Sequence, residues 1–417
     1  MKRFGSAVIL LLLIVFMVGS LTLNAANKVT INALFMKQAG YSEDDTRAGT
    51  AEFEKLNPNI QVKLTFVAYE ELEQKIITSA QSGSYDVVLS DGPFTAKFAE
   101  AKIVRTVDIS AEEKKDIFPA VLAGTFYKGK YWGMPWLNDC RYLFYNKTML
   151  RKAGIADPPK TMAELLADAK KIKDKGLVQY PIVWTWAQAE CLMCDYTPLC
   201  VIFGGGLVDK NNNPTIDSPG NKKALDFMAD SIKNGLSNPH SIEFTEAEAQ
   251  NTFCSGNAAF TFLWTSTYAA AQDPSQSKLS KDEVGIAVIP GQGKVVSATC
   301  NGGQPLAVSA GSKHPVEATK YMKYLSGKEF QRNYCTNALP IWKSLFDDAK
   351  VIASSPDIVK VAKVQYNYFV SRPMVPYWGE LATYMEVKIQ EVLLGKTTSD
   401  AALKACQAKA LELAGQK

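Results

Sequence analysis

Apolar and polar positions alternate along 29–36 and again along 60–68, the two-residue period of a strand with one buried face. Between them, 42–56 has helical spacing and stops at Asn57-Pro58. In 70–81, Leu72, Ile76 and Ala80 recur every four residues, predicting a helix that Ser82-Gly83 ends. A short apolar run, 86–89, opens into Ser90-Asp91-Gly92-Pro93. Strand, helix, strand, helix, strand is the order of a mostly parallel α/β sheet. Ligands of such sheets sit beyond the carboxyl ends of the strands. That rule selects Lys37, Gln38 and Tyr41 after the first strand, and Ser90 and Asp91 after the third.

The stretch 127–146 has a different texture. Lys128-Gly129-Lys130 predicts a tight hairpin, Gly133 and Pro135 interrupt the chain, and a β-rich run follows from Arg141 to Tyr145. Trp132, Trp136, Asn138, Asp139 and Arg141 lie within it. Flat rings beside polar groups able to make paired hydrogen bonds suit a ligand with apolar faces and hydroxylated edges, which describes a sugar.

Further on, Thr161 and Glu164 predict a capping box, followed by an apolar helical face. The predicted strand 181–186 holds Trp184 and Trp186 on one face. A helix is expected at 221–233, a second capping box at Thr245 and Glu248, and a strand at 260–263 that ends at Trp264. Strands at 284–290 and 305–310 and a helix at 315–325 follow. The last third reads as helical, with a break at Arg372-Pro373 and an exposed aromatic pair, Tyr377-Trp378. Asp209 to Pro214 imitates a calcium loop, but Pro214 and Gly220 stand where glycine and glutamate are needed, so it reads as a turn.

Composition narrows the partners. The chain has 417 residues, 21% charged, with a net charge of +4, too little and too evenly spread to suggest nucleic acid or an anionic membrane. Met1-Lys2-Arg3, the apolar run from Ala7 to Val18 and the small pair Ala25-Ala26 form a leader, 1–26, so the mature chain is expected outside the cytoplasm, with an uncleaved anchor as the alternative. Eight cysteines, an even number in an exported chain, lead to an expectation of at least one disulfide, without a connectivity. Cys191-x-x-Cys194 lacks a second pair, and His240 and His314 are the only histidines, so neither metal nor other cofactor is implied.

Four segments together resemble the extracellular solute-binding proteins, family 1, of ABC importers, the group that includes maltose-binding protein. They are Asp86-Val-Val-Leu-Ser-Asp91; Tyr131-Trp-Gly-Met-Pro135 through Lys147 with Pro159 to Leu165; Phe253-Cys-Ser-Gly-Asn-Ala-Ala-Phe260 through Trp264; and Gly302-Gly303 through Ala307 with Glu317 to Leu325. The resemblance implies an α/β two-lobe periplasmic binding protein fold (type II), with three hinge crossovers and the ligand cleft between the lobes. Matching positions put the crossings near 137–141, 262–265 and 336–341. Lobe one would be 27–138 and 265–337, and lobe two 139–264 and 338–417. The resemblance adds Trp184, Trp186, Trp264, Tyr377 and Trp378 from the second lobe as ligand contacts, with Asn301 and Gly302 beside the closed cleft. It departs from the best-known members in its cysteines and in Arg141.

The implied function is capture of a small carbohydrate or polyol by hinge closure and delivery to an ABC permease, by a non-enzymatic monomer in the periplasm. The rival is an exported carbohydrate-active enzyme using paired carboxylates, for which no motif is found. Bland roles stand beside each assignment: Asp139 and Arg141 forming a structural ion pair, Asp91 capping the helix after it, and the tryptophans filling cores.

Overall fold

The computed structural model describes residues 28–37 and 40–415, so the leader and Gln38 lie outside the described residues. Two sheets organise the chain. In the first, the strand order is Ile60–Val67, Val29–Met36, Val87–Leu89, Gln304–Val308, Met134–Leu137. The first pair is parallel over its whole length, from Val29 opposite Ile60 to Met36 opposite Val67. Val87–Leu89 is parallel to Val29–Met36, while Gln304–Val308 runs antiparallel to both its neighbours. The helices between the first strands start and stop where the chain says they should. Ser42 caps Glu43–Leu56 in a reciprocal pair with Asp45, and Asn57 ends it. Tyr69–Ala80 buries Leu72 and Ile76.

The second sheet has the order Val284–Ala287, Tyr142–Asn146, Phe260–Leu263, Ile182–Val183. It corrects a boundary. Residues 265–337 were expected in the first lobe, but Val284–Ala287 pairs with Tyr142–Asn146 in register, Val284 opposite Asn146. Thr299–Cys300 then pairs with Phe369–Val370. The chain re-enters the first sheet only at Gln304, so the second crossing is at 301–303 rather than 262–265. Backbone pairing outweighs the apparent exit at Trp264, because a strand buried on both faces leaves its hydrogen bonds nowhere else to go. The first crossing runs from Leu137 to Tyr142. The third strand of chain lies along it: Leu339 bridges to Asn138, and the Gln331 side chain grips the Trp136 carbonyl and the Ile341 amide at 2.8 Å each.

One element escapes any amphipathic reading. Glu190–Ile202 is a helix buried almost all round, with Pro198 inside it. A helix wrapped on every side by core has no polar stripe to betray it, and Pro198 removes the amide that would bond the Cys194 carbonyl. No helix among the described residues is long and apolar enough to cross a membrane.

All eight cysteines are free and buried, so the disulfide expected from their even number is not formed. Each sits in a packed core or strand, where a thiol behaves as a small apolar side chain. The calcium-like loop is a turn: Asp209 accepts from the amides of Asn211 and Asn213.

Candidate functional site

The site is built where the lobes meet, from the turn after Val87–Leu89, the start of Glu190–Ile202, the loop 371–377 and the first crossing. Asp91 is buried at the turn. Its carboxylate accepts from the Gly92 amide at 2.7 Å, so it does cap the short helical turn Gly92–Phe94, and it accepts from the Tyr69 hydroxyl at 2.7 Å. It also receives Arg372 Nη2 at 3.1 and 3.0 Å from the other lobe. Arg372 Nη1 holds Glu190 at 2.8 Å, and Trp378 Nε1 donates to the same Glu190 oxygen at 3.1 Å.

Electrostatics favour this arrangement over ionised alternatives. Burial works most strongly against the charge on Arg372, but Asp91, Cys194, Cys300 and Glu190 together outweigh it, and the guanidinium is held well above its usual value. Burial, then Asp91, lifts the Tyr69 hydroxyl, which therefore stays a donor at neutral pH. Burial raises Glu190 against the opposing pull of Arg372.

A second cluster lies wholly in the second lobe. Arg141 is fully buried. Its Nη1 reaches the Thr185 hydroxyl and Asp195 at 2.6 Å each, and Nη2 reaches Glu246 at 2.8 Å. The guanidinium lies over the Trp264 ring, 4.8 Å from its centre, and Trp264 Nε1 donates to Glu246 at 3.1 Å. A cation on an indole face whose N–H is satisfied fixes that ring firmly. Gly302 makes room for it: a Cβ there would stand 2.5 Å from Trp264.

Between the lobes, Gly92, Pro93, Gly124, Asn301, Gly303, Ser371, Arg372 and Met374 line a space of only about 10 Å³, room for a single water at most. Asn301 links the lobes there, donating to the Ala120 carbonyl at 3.0 Å and to the Ser371 hydroxyl at 3.1 Å. The jaws are shut.

Of the residues chosen from sequence, Asp91, Arg141, Trp264, Asn301, Gly302 and Trp378 stand in or against these networks. The pair expected to be exposed is only half so: Tyr377 is partly exposed, but Trp378 is buried in the second-lobe core, where packing of its helix outweighs the break before it; Ser90 is buried beside Asp91. Lys37 is exposed at the end of its strand. Others are elsewhere. Tyr41 is a core residue, its ring 4.9 Å from Trp136 and 5.2 Å from Phe330. Trp184 and Trp186 do share a face, but they stack on one another, 4.9 Å apart and 12° from parallel, both fully buried in the second-lobe core. Trp184 is further held by Phe262 against its ring and Ser237 on its nitrogen. Asn138 donates to the Pro340 carbonyl and Asp139 accepts from Thr265 and the Cys140 amide, so both fasten the crossing. Asp139 and Arg141 are not ion-paired: two residues apart, each has partners of its own.

Sequence reasoning missed Tyr69, Glu190, Asp195, Glu246 and Arg372. Arg372 was visible only as a break before Pro373, and Asp195 only as an acid in an otherwise apolar, cysteine-rich run.

The model of the bacterial extracellular solute-binding proteins matches residues 39–332, most of the chain. The protein belongs to that family. A probable ABC transporter-binding protein of Deinococcus radiodurans is 29% identical over 432 residues, spanning all of both chains. The maltose-bound MalE3 of T. maritima superposes with a TM-score of 0.83 at 24% identity, covering 92% of this chain and 100% of that one. A ribitol-bound solute-binding protein of Agrobacterium radiobacter gives 0.81 at 24% identity, covering 93% and 99%. The fold is the two-lobed type II periplasmic binding protein fold, and the family's members are the solute-binding parts of ABC transporters.

Proposed function

We propose that the protein captures a carbohydrate or polyol by closing its lobes around it and delivers it to a membrane permease. The observation that carries this reading is the Asp91–Arg372–Glu190 bridge. Its Asp91–Arg372 pair joins the two lobes, and Glu190 holds the same arginine from within the second lobe. A solute whose hydroxyls replace those partners makes bonds to both lobes only when the jaws close, so binding and closure are one equilibrium. Trp264 offers a partly exposed ring held by its own N–H bond, and stacking on it contributes about 0.5–1.5 kcal/mol beyond area burial. Relatives of this fold hold maltose and ribitol, which agrees with the mixture of rings and polar groups. Export through the leader 1–26 and docking of the shut form as a monomer belong to the same reading.

The first crossing, the 301–303 return and the segment 331–341 would form the hinge, with lobe one near 27–138 and 304–337. Asp91, Glu190, Asp195 and Glu246 are each engaged by an arginine. Such shared carboxylates do not form the free acid and nucleophile of a glycosidase. A thermal-shift screen over mono-, di- and trisaccharides, polyols and amino acids tests the proposal. The melting temperature should rise with one class of sugar or polyol, and oligosaccharides should be recovered uncut. No shift with any of them, or turnover, would overturn it.

A further inference from the structure

Glu386 is the acid that the bridging network leaves over. It lies mid-way along Trp378–Leu393, only 6% exposed, and has no hydrogen-bond or ion-pair partner among the described residues. The same helix supplies Trp378 to Glu190 eight residues earlier and Gln390 to the Ile242 carbonyl four residues later. Those steps put Glu386 on the face turned toward the start of Glu190–Ile202. Its neighbours there are Glu190 and Cys191, whose ionisation it opposes.

No cation faces it. Arg372 is shared by Asp91 and Glu190, and Arg141 by Asp195 and Glu246. The nearby lysines are occupied, Lys388 by Glu391 and Lys409 by Glu380 and Glu412. Five carboxylates, Asp91, Glu190, Asp195, Glu246 and Glu386, therefore meet two guanidiniums around the start of Glu190–Ile202, all but Glu246 largely buried. The excess is negative, and in a dry site it demands a proton or a cation. Burial, and then Glu190, lifts the Glu386 carboxyl to about 7, the mark of an acid short of a partner.

We infer that the solute taken at this site carries a protonated amine, as an amino sugar does, with Glu386 as the acceptor that selects it. This rests on carbohydrate capture and narrows it. A neutral sugar leaves the excess charge in place, and an acidic sugar adds to it. An ammonium on the ring supplies three donors and one positive charge where Glu386 and Glu190 lie side by side.

The test uses the mature protein at about pH 7.5, titrated by calorimetry with glucosamine and its β-1,4-linked disaccharide against glucose and N-acetylglucosamine. The amines should bind at least about tenfold more tightly than their neutral counterparts, as a charged hydrogen bond of about 1.5–3 kcal/mol requires. Glu386→Gln should erase that preference, and so should lowering the pH to about 5.5, where Glu386 takes a proton. The quantity read is the ratio of amine to neutral-sugar affinity, which should fall to about one in both cases. Equal binding of amine and neutral sugar would overturn the inference and leave carbohydrate capture standing. Stabilisation by calcium or magnesium ions alone, matching that by glucosamine, would also overturn it by assigning the excess charge to a metal. Binding of neither kind of sugar would overturn the inference, while carbohydrate or polyol capture would stand or fall with the wider thermal-shift screen.

Discussion

Arg372 and Asp91 face one another across the two lobes, both almost wholly buried, with one guanidinium nitrogen 3.1 and 3.0 Å from the two carboxylate oxygens. Neither residue has another full charge partner except Glu190, which shares the arginine. The pair is therefore a latch of the shut state. If the lobes open as proposed, the pair is returned to water.

Removing Arg372 tests that relationship. Arg372→Ala leaves Asp91 and Glu190 buried without a cation, a penalty of about 3–5 kcal/mol when a buried pair loses one member. Opening the lobes relieves the penalty by hydrating both acids. The cost should thus fall on closure more than on folding. Small-angle scattering should show a larger radius of gyration than the wild type, while the urea midpoint changes little.

Arg141 should behave differently, because all its partners belong to one lobe. Opening does not rescue Asp195, so Arg141→Ala should lower folding stability by about 3–5 kcal/mol. A lowered urea midpoint with an unchanged slope would register it.

Asp139 predicts a pH dependence. Burial raises its carboxyl from 3.8 to about 7, against hydrogen bonds from Thr265 and Cys140 that favour the charged form. The folded value lies above the unfolded one, so the folded state binds the proton more tightly. The stability this adds is complete below the unfolded value and is lost as pH rises through about 7. Glu386, also lifted to about 7, acts in the same direction. Wild-type urea midpoints should fall as pH rises from about 4 to about 7 and level off above that. Asp139→Asn keeps an acceptor for Thr265 and Cys140 and should flatten part of that slope.

Gly302→Ala should disturb the ring that Arg141 holds. The new methyl would lie 2.5 Å from Trp264, so the indole must move off the guanidinium. Overpacking of this kind costs about 1–3 kcal/mol. A changed tryptophan emission spectrum together with weaker sugar binding is the expected result.

The thiols supply a last check. All eight are buried, and burial raises Cys254 to about 11 and Cys406 to about 12. Iodoacetamide should leave the folded protein unmodified and should add eight groups in urea without reductant, as counted by mass spectrometry.

Local pattern carried the first lobe well because its helices bury one face and expose the other, some of them with a side-chain cap. Ser42 with Asp45, and Leu72 with Ile76, state their roles within four residues of chain. It failed at Glu190–Ile202, where uniform burial erases the helical period and Pro198 argues against a helix. It also failed for Trp184 and Trp186. Their spacing correctly put both rings on one face, but spacing does not say whether that face looks at a cleft or at another indole.

The sequence by itself determined the capped helices, most strands and the α/β class, because these follow from periodicity and short-range hydrogen bonding; the two lobes and several residues of their meeting surface came from its resemblance to a family. Only the tertiary structure decided which charges meet. Arg372 finds Asp91 from 281 residues away, and Arg141 finds Glu246 from 105. A buried charge takes its partner from whatever the fold brings within 3 Å, and separation along the chain holds no record of that choice.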